Sequence, residues 1–303
     1  MAVRVGTCSW ADRGMVKSWY PEEFRSPPKL LDYYCKHFDT VEVDSTYYAI
    51  PDPEICARWA RRTPEGFIFH VKAFGMMTGH SVKPRQLPAS LREGFDYSLT
   101  RYGNLKNPPP EMIRGCFEHF IRAVEPLNRA KKLGLILLQF PPYFTAGDPG
   151  QYRRNLAWIR RCREVMPEHR LAVEFRHRSW FADEVAGEVA QLLGDENVTL
   201  VAVDEPQVGE KSIPPVIRAT GSCGYVRFHG RNRATWDRPV KSAAERFRYL
   251  YDEEELREWV EPLRRLEDQT ETTYAMFNNC FADYAPANAL TMAGLLREAG
   301  GGD

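Results

Sequence analysis

Eight short apolar runs are spaced along the 303-residue chain, and each of them ends in polar or charged residues. The runs are VRVGTCS, TVEVDS, FIFHVKA, LILLQF, LAVEFRH, TLVAVDE, YVRFHGRN and YAMFNN. Six of the seven stretches between them are long enough to carry a helix. Strands that alternate with helices form parallel sheets, and eight such strands predict an α/β fold, a single (β/α)8 or TIM barrel. Loops at the C-terminal ends of the strands build the active site in this fold, so the polar ends locate the expected site.

Two links depart from the regular alternation. The roughly 40 residues after the third run, at about 73–111, lack sustained helical periodicity and end in three consecutive prolines. A loop of that length in a compact domain is typical of a lid or a binding element. The link Glu205–Cys223 contains Pro and Gly and shows no helical stripe, which predicts a degenerate helix after the sixth strand. We find no repeat and no linker, and therefore expect one domain over residues 1–303.

Composition excludes several classes of protein. The 41 basic and 41 acidic residues balance, so no overall field attracts nucleic acid or an anionic membrane. Seven cysteines, an odd number without a CxxC spacing, argue against a disulfide framework and a zinc ribbon and favour reduced thiols. The N-terminus lacks the apolar run of a signal peptide, and no stretch approaches a membrane span. We expect a cytoplasmic protein without a membrane partner.

Side chains two residues apart on a strand face the same way, and this parity predicts which polar residues face the barrel interior. In TVEVD the valines suit the outer helices, so Glu42 and Asp44 turn inward. The same reasoning pairs His70 with Lys72, Ala202 with Asp204, and Arg227 with His229. Neighbouring charges shift one another's pKa values, as acid/base catalysis requires. The catalytic candidates are Glu42, Asp44, Lys72, Glu174, Asp204 and His229. The alternative interpretation is a set of buried ion pairs that fill a polar barrel centre.

Candidate substrate-binding residues surround the same strand ends. In HGRNR, Gly230 lets a ligand approach the backbone, and the arginines offer planar donors to phosphate or carboxylate. Four aromatic residues just beyond strand ends could stack on a planar ligand. The alternatives are a solvated basic loop, an Arg176 that clamps a neighbouring carboxylate, and aromatics that pack on loops. The binding candidates are Trp10, Tyr47, Gln139, Arg176, Trp180, Arg227, Arg231, Asn232, Trp236, Asn278 and Asn279.

Cofactor motifs give little support for a bound group. A divalent metal is one alternative, with mixed oxygen and nitrogen ligands from Glu42, Glu174, Asp204 and His229. No HExxH motif or paired histidine spacing favours it, and no P-loop, dinucleotide fingerprint or GxSxG motif is present. Cys8 and Cys280 lie near strand ends, where we expect buried, unreactive thiols.

Seven motifs, in order along the whole chain, resemble one known family. They are GTCSW at 6–10, VEVDSTYY at 41–48, RTPEGFIFHVKA at 62–73, LLQFPP at 137–142, VEFRHRSW at 173–180, YVRFHGRN at 225–232 and FNNC with APANAL at 277–290. The family is that of the YecE-like proteins, domain of unknown function 72. The resemblance implies a TIM barrel and no settled activity. Two positions depart from the family pattern, since Asp44 stands where Asn is commoner and Cys280 where a His often follows.

These observations predict an enzyme, a hydrolase or a lyase or isomerase, that performs acid/base chemistry on an anionic, phosphorylated substrate. Glu174 or Asp204 would be the base, and His229 or Lys72 the acid or the electrostatic stabiliser. The insertion after the third strand would act as a lid, and the anion would be held by Arg231 and Asn278. One alternative is a nucleic-acid-binding barrel or a metal-assisted phosphodiesterase. Another is a non-catalytic protein that binds a metabolite or a partner.

Overall fold

The computed structural model describes residues 3–240 and 242–300. Its main sheet contains nine parallel strands in the order β8-β7-β6-β3-β2-β1-β11-β10-β9. Their bounds are β1 (Arg4–Thr7), β2 (Thr40–Val43), β3 (Ile68–Lys72), β6 (Leu133–Gln139), β7 (Arg170–Glu174), β8 (Val198–Leu200), β9 (Ala202–Asp204), β10 (Cys223–Phe228) and β11 (Thr272–Phe277). A separate antiparallel hairpin consists of β4 (Ser98–Leu99) and β5 (Leu105–Lys106).

The sheet closes into a barrel through the sixth apolar run. One residue, Val201, separates β8 from β9, so the two are halves of one barrel strand. The first half pairs with β7, where Leu200 lies opposite Val173. The second half pairs with β10, where Ala202 lies opposite Val226. The nine segments are therefore eight barrel strands, and the predicted TIM barrel is confirmed.

Helices surround the barrel, and several begin where the local sequence predicts. Asp52 accepts a hydrogen bond from the Glu54 backbone N–H and precedes Pro53 at the first helical position. Asp148 caps the helix at Pro149 in the same way. The bounds are α1 (Arg13–Ser18), α2 (Pro27–Tyr34), α3 (Pro53–Arg62), α4 (Ala89–Glu93), α5 (Pro110–Arg129), α6 (Pro149–Val165), α7 (Asp183–Asp195), α8 (Ala243–Arg246), α9 (Glu253–Arg257), α10 (Val260–Glu267) and α11 (Tyr284–Gly300).

The two irregular links follow the predicted pattern, with added detail. Residues 205–222, all of which the structure describes, contain no helix between β9 and β10. The segment after β3 carries the β4–β5 hairpin and the short α4. It packs on the barrel, since Tyr143 donates a hydrogen bond to the Gly79 carbonyl and Trp158 donates one to the Met77 carbonyl. No helix in the described ranges has the length and apolar character that a membrane crossing requires.

Apolar side chains form two cores, one inside the barrel and one between the strands and the helices. The inner core comprises Cys8, Leu135, Leu137, Ala172, Val201, Val203, Ile213, Cys223, Tyr225, Tyr274 and Met276. The outer core includes Val41, Val43 and Ala202. Predicted parity is therefore correct for β2, where Glu42 and Asp44 turn inward. It is wrong for the sixth strand, where Val203 faces inward and the adjacent Asp204 faces the helices.

Candidate functional site

A buried arginine, Arg227 on β10, lies at the centre of the barrel mouth. Its Nε and Nη2 donate to the two Glu42 oxygens at 3.0 and 2.6 Å. Its Nη1 donates to Glu174 Oε2 at 2.5 Å, and Nη2 also reaches the Cys8 sulfur at 3.7 Å. Neither Arg227 nor its two glutamates is exposed. An ion cluster this deep is favourable only when every charge has partners, and the alternating inward positions of three strands supply them.

Glu174, at the end of β7, accepts hydrogen bonds from four side chains. The donors are Gln139 at 2.8 Å, Arg176 at 3.2 Å, Arg227 at 2.5 Å and His229 at 3.1 Å. Burial alone would raise the pKa of Glu174, but the adjacent Arg227, His229 and Arg176 hold it well below its usual range. A carboxylate that already accepts four hydrogen bonds, and whose pKa is lowered, is a poor proton acceptor. Its predicted role as general base has weak physical support, and it instead positions its four donors.

His229 connects Glu174 to the end of β11. Asn278 Nδ2 lies 2.8 Å from His229 Nδ1, and Nε2 lies 3.1 Å from Glu174. If Asn278 donates, Nδ1 is the acceptor and Nε2 carries the proton of a neutral imidazole. Burial lowers the pKa of His229 to about 4, so the ring is neutral near pH 7. The Trp236 ring lies above it, with 6.2 Å between ring centroids.

Glu42 is the second buried carboxyl of the cluster. Besides its two bonds from Arg227, it accepts one from the Tyr225 hydroxyl at 2.7 Å. Burial raises the pKa of Glu42 to about 7, although Arg227 opposes that rise. Three donors and no exposure leave no free Glu42 oxygen for a ligand. Cys8, beside it, has a thiol whose pKa burial and Glu42 raise well above its usual range, which agrees with the predicted unreactive thiol.

Lys72 and Asp44 form the exposed edge of the cluster, at the ends of β3 and β2. The Lys72 ammonium is 3.7 Å from Asp44 Oδ1 and 4.7 Å from the Tyr47 ring centroid. Asp44 Oδ1 is also 3.7 Å from Arg227 Nη2. Both distances exceed hydrogen-bond length. Within residues 3–240 and 242–300, neither Lys72 Nζ nor Asp44 Oδ1 has a hydrogen-bond partner.

Glu205 is an acid of the mouth that parity reasoning missed. Its side chain is fully buried, with Oε1 accepting the Ile213 backbone N–H at 2.8 Å and Oε2 at 3.2 Å from Arg176 Nη1. The Arg176 guanidinium also lies 5.2 Å from the Trp236 ring centroid. Burial raises the pKa of Glu205 to about 7. The sequence signal was the pair of adjacent acids Asp204 and Glu205, of which one must face inward.

Asp204, predicted as a base, is instead part of the outer layer. Its carboxylate accepts from Arg231, from the Tyr251 hydroxyl at 3.1 Å and from Trp259 Nε1 at 2.7 Å. Arg231, predicted to bind an anion, is neutralised there, because it also contacts Glu255 and Glu258. Acids already occupy the directions in which the Arg231 guanidinium would hold a ligand. Neither residue joins the Arg227 cluster.

The rest of the HGRNR and FNN segments holds loops in place. Gly230 has a φ of +86°, and a Cβ there would lie 2.7 Å from Tyr249 Cβ, so its backbone approaches a tyrosine rather than a ligand. Asn232, a binding candidate, donates to the carbonyls of residues 245 and 248. Asn279, another candidate, donates to the Tyr249 carbonyl and to Asn288. These donors face neighbouring loops, so the two asparagines are structural contacts.

Two of the four predicted aromatic residues do not line the mouth. Trp10 packs edge-on against Trp59, with centroids 5.2 Å apart, in the outer core. Trp180 stacks on Phe175 at 4.4 Å and is likewise buried outside the barrel. Side chains that follow a strand can turn back over its outer face, which the sequence does not reveal. Tyr47 and Trp236 remain as the aromatic contacts of Lys72 and Arg176.

The four candidate metal ligands do not form a site. Asp204 faces the helices, and the two glutamates are occupied by Arg227. In the described part of the chain, no group of three or more His, Cys, Asp or Glu side chains is arranged to hold a metal ion. The metal-assisted version of the predicted chemistry therefore has no ligand set among these residues.

Two clefts lie near the strand ends of the barrel. One of about 250 Å³, beside the mouth, is lined by Asp204, Glu205, Gln207, Arg231 and Arg233 among others. A larger one of about 740 Å³ lies at the opposite end of the barrel, where Arg4, Asp39 and Glu271 begin or precede strands. Functional groups of TIM barrels lie at the strand C-termini, so the smaller cleft is the better candidate for a functional site.

Comparisons with known proteins agree with this fold. A model of the family described as "Protein of unknown function DUF72" matches residues 4–302. The UPF0759 protein YunF of Bacillus subtilis (strain 168) is 33% identical over 298 residues, which cover 97% of this chain and 94% of YunF. A crystal structure of a DUF72 family protein from Thermotoga maritima MSB8 is 32% identical and has a TM-score of 0.76, covering 98% of this chain and 100% of that chain. Another, from Enterococcus faecalis V583, has a TM-score of 0.77 at 24% identity, covering 97% and 95%.

Proposed function

This chain belongs to the DUF72 family, and from that premise and the geometry of the mouth we propose that it is an enzyme acting by acid/base chemistry on a small anionic substrate. The site is the charged cluster at the C-terminal ends of the barrel strands. Lys72 and Arg176 contact the negative groups of the substrate. Glu174, itself fixed by Arg227 and His229, holds Arg176 in position, and Asp44 and the Tyr47 ring lie beside Lys72. The insertion that follows Lys72 covers the substrate.

The observation that carries this proposal is the unsatisfied ammonium of Lys72. The Lys72 side chain is 13% exposed, and the carboxylate oxygen that pairs with it, Asp44 Oδ1, is 3.7 Å away. An anionic oxygen at hydrogen-bond distance would give the Lys72 ammonium the acceptor that it lacks in the described chain. A carboxylate or a phosphate would supply that oxygen, and a phosphate remains our preferred group. The seven cysteines are all free thiols, so we place the reaction in the reducing cytoplasm.

Binding of inorganic phosphate and sulfate, measured by calorimetry, tests the proposal. The variant Lys72→Met should weaken binding about 10- to 100-fold, because a charge-assisted hydrogen bond contributes about 1.5–3 kcal/mol. Lys17→Met, at an exposed position on α1, is the matched control and should bind like the wild type. Equal affinities in all three proteins would contradict the proposal.

Turnover separates an enzyme from a binding protein with the same pocket. A panel of small phosphorylated compounds should contain one that the wild type converts and Lys72→Met converts far more slowly. A bound compound that is never converted would indicate the non-catalytic alternative. Nucleic acid, the other alternative, would bind with a steep salt dependence through several phosphates. A short oligonucleotide that binds far more tightly than phosphate, with such a slope, would favour it.

A further inference from the structure

Glu205 has a buried carboxylate oxygen that accepts no hydrogen bond in the described structure. Its Oε1 is bonded to the Ile213 backbone N–H, but Oε2 accepts no hydrogen bond although Arg176 Nη1 is 3.2 Å away. Buried polar atoms normally have a partner, and an unpartnered one beside a cleft marks a place for a ligand or a proton. Glu205 also lines the 250 Å³ cleft beside the mouth.

The net charge of the cluster, and therefore its affinity for an anion, depends on whether Glu205 is protonated. There are four carboxyls and three cations, so full ionisation gives a net charge of about −1 with His229 neutral. The carboxyls are Glu42, Asp44, Glu174 and Glu205, and the cations are Lys72, Arg176 and Arg227. Protonation of one of the four carboxyls makes the cluster neutral and so favours an entering anion.

Glu205 is the carboxyl best placed to take that proton. Glu174 accepts four hydrogen bonds and Glu42 accepts three, so protonation there would break existing bonds. Asp44 is partly exposed, and its charge faces Lys72. For Glu205, burial raises the pKa to about 7 against the opposing effect of Arg176, so little free energy separates its two forms near neutral pH. The charged groups around it are Arg176, Glu174 and Asp204, and Arg231 and Arg233 line the same cleft.

We propose that Glu205 takes up a proton from solvent when an oxyanion binds Arg176, and then donates it from Oε2 to an oxygen of the ligand. The transfer returns Glu205 to the carboxylate and leaves the ligand oxygen protonated, so the residue is a general acid. The substrate is thus a small compound with an oxyanion for Arg176 and an oxygen that accepts a proton nearby. This inference rests on the function proposed above and specifies its substrate and its acid.

Proton uptake on sulfate binding tests the inference. Sulfate does not titrate near neutral pH, so any proton must come to the protein. Calorimetry at about pH 7 in two buffers of different ionisation enthalpy should show an uptake of about half a proton per bound sulfate in the wild type, because a group with a pKa near 7 is then half protonated. Glu205→Gln should bind sulfate with almost no uptake, since its amide keeps the acceptor for the Ile213 N–H.

The matched control is Glu210→Gln, which removes an exposed carboxylate from the same loop and should leave the uptake unchanged. Arg176→Met should lose most of the sulfate affinity. Unchanged uptake in Glu205→Gln would overturn the role of Glu205 and leave the anion site standing. Sulfate binding by Arg176→Met with wild-type affinity would overturn the position of the oxyanion. No sulfate binding by the wild type would overturn this inference together with the proposed function.

Discussion

Replacing Arg227 by Met should be among the most destabilising single changes in this barrel. The side chain donates to Glu42 twice and to Glu174 once, and all three residues are fully buried. Removing one partner of a buried ion pair costs about 3–5 kcal/mol, because the other charge stays buried without compensation. Glu174 keeps three donors, whereas Glu42 keeps only Tyr225, so most of the loss falls on Glu42.

The size and the pH dependence of the loss can both be measured. A loss of about 4 kcal/mol corresponds to a decrease in Tm of about 6 °C for a chain of this size. Without Arg227, the folded-state pKa of Glu42 rises further above its unfolded value near 4.3. A carboxyl with a raised folded pKa destabilises the protein progressively as the pH rises above the unfolded value, so the deficit of Arg227→Met should shrink as the pH is lowered from about 8 to 5.

Urea and thermal unfolding, followed by circular dichroism, provide the assay. The triple variant Arg227→Met, Glu42→Gln, Glu174→Gln is the control, because it removes the charges along with their partner and should recover much of the lost stability. A loss below about 1 kcal/mol for Arg227→Met, or a deficit that grows as the pH falls, would refute the reasoning.

Two further changes test the corrected outer layer. Asp204→Asn should cost about 2–3 kcal/mol in urea unfolding, because a partly buried pair with Arg231 is lost; a loss below about 0.5 kcal/mol would contradict the assigned pair. Gly230→Ala should lower stability by about 1–3 kcal/mol, since its φ is +86° and the new Cβ would meet Tyr249. Gly147→Ala, where a Cβ has open space, is the control in the same thermal assay. Equal Tm values for the two variants would contradict the assigned strain.

The barrel and much of its central cluster could be predicted from the sequence because the polar residues recur at alternate positions. In TVEVD the two acids are separated by a valine, and in YVRFH the arginine and the histidine are separated by a phenylalanine. The outward alternatives would bury charge against apolar helix faces, which is far more costly than meeting opposite charge inside. The structure accordingly brings Glu42 and Arg227 into contact across 185 positions of sequence.

The same reasoning gave the wrong inward face for the sixth strand. In TLVAVDE, Leu200 and Ala202 are as apolar as Val201 and Val203, because both faces of a parallel barrel strand are covered. A shift of one residue then exchanges the faces without any change in the hydrophobic pattern. For this reason the prediction placed Asp204 inside the barrel, whereas the structure has Glu205 inside and Asp204 against the helices.

Partners that lie far along the chain were also invisible to sequence reasoning. Nothing in HGRNR indicates that Arg231 meets two glutamates of the α9 region, Glu255 and Glu258, at 3.5 and 2.8 Å. The motif correctly suggested a cation at the right end of the barrel, but the charge is already balanced there. A motif gives the type of side chain, whereas its availability depends on contacts that only the fold creates.

The distribution of satisfied and unsatisfied groups explains why a protein would keep so many charges in its barrel. Buried ion networks are seldom more stable than well-packed apolar residues, so stability alone does not account for this one. Its members are bonded to one another at the centre, whereas at the edge Lys72 Nζ, Asp44 Oδ1 and Glu205 Oε2 have ion-pair neighbours but no hydrogen-bond partner in the described chain. A rigid, fully bonded centre fixes the orientation of a few incompletely bonded groups around it, which is the preorganisation that catalysis and selective binding require. We therefore expect a ligand to bond to the incompletely bonded groups at the edge, in a geometry that the bonded centre fixes.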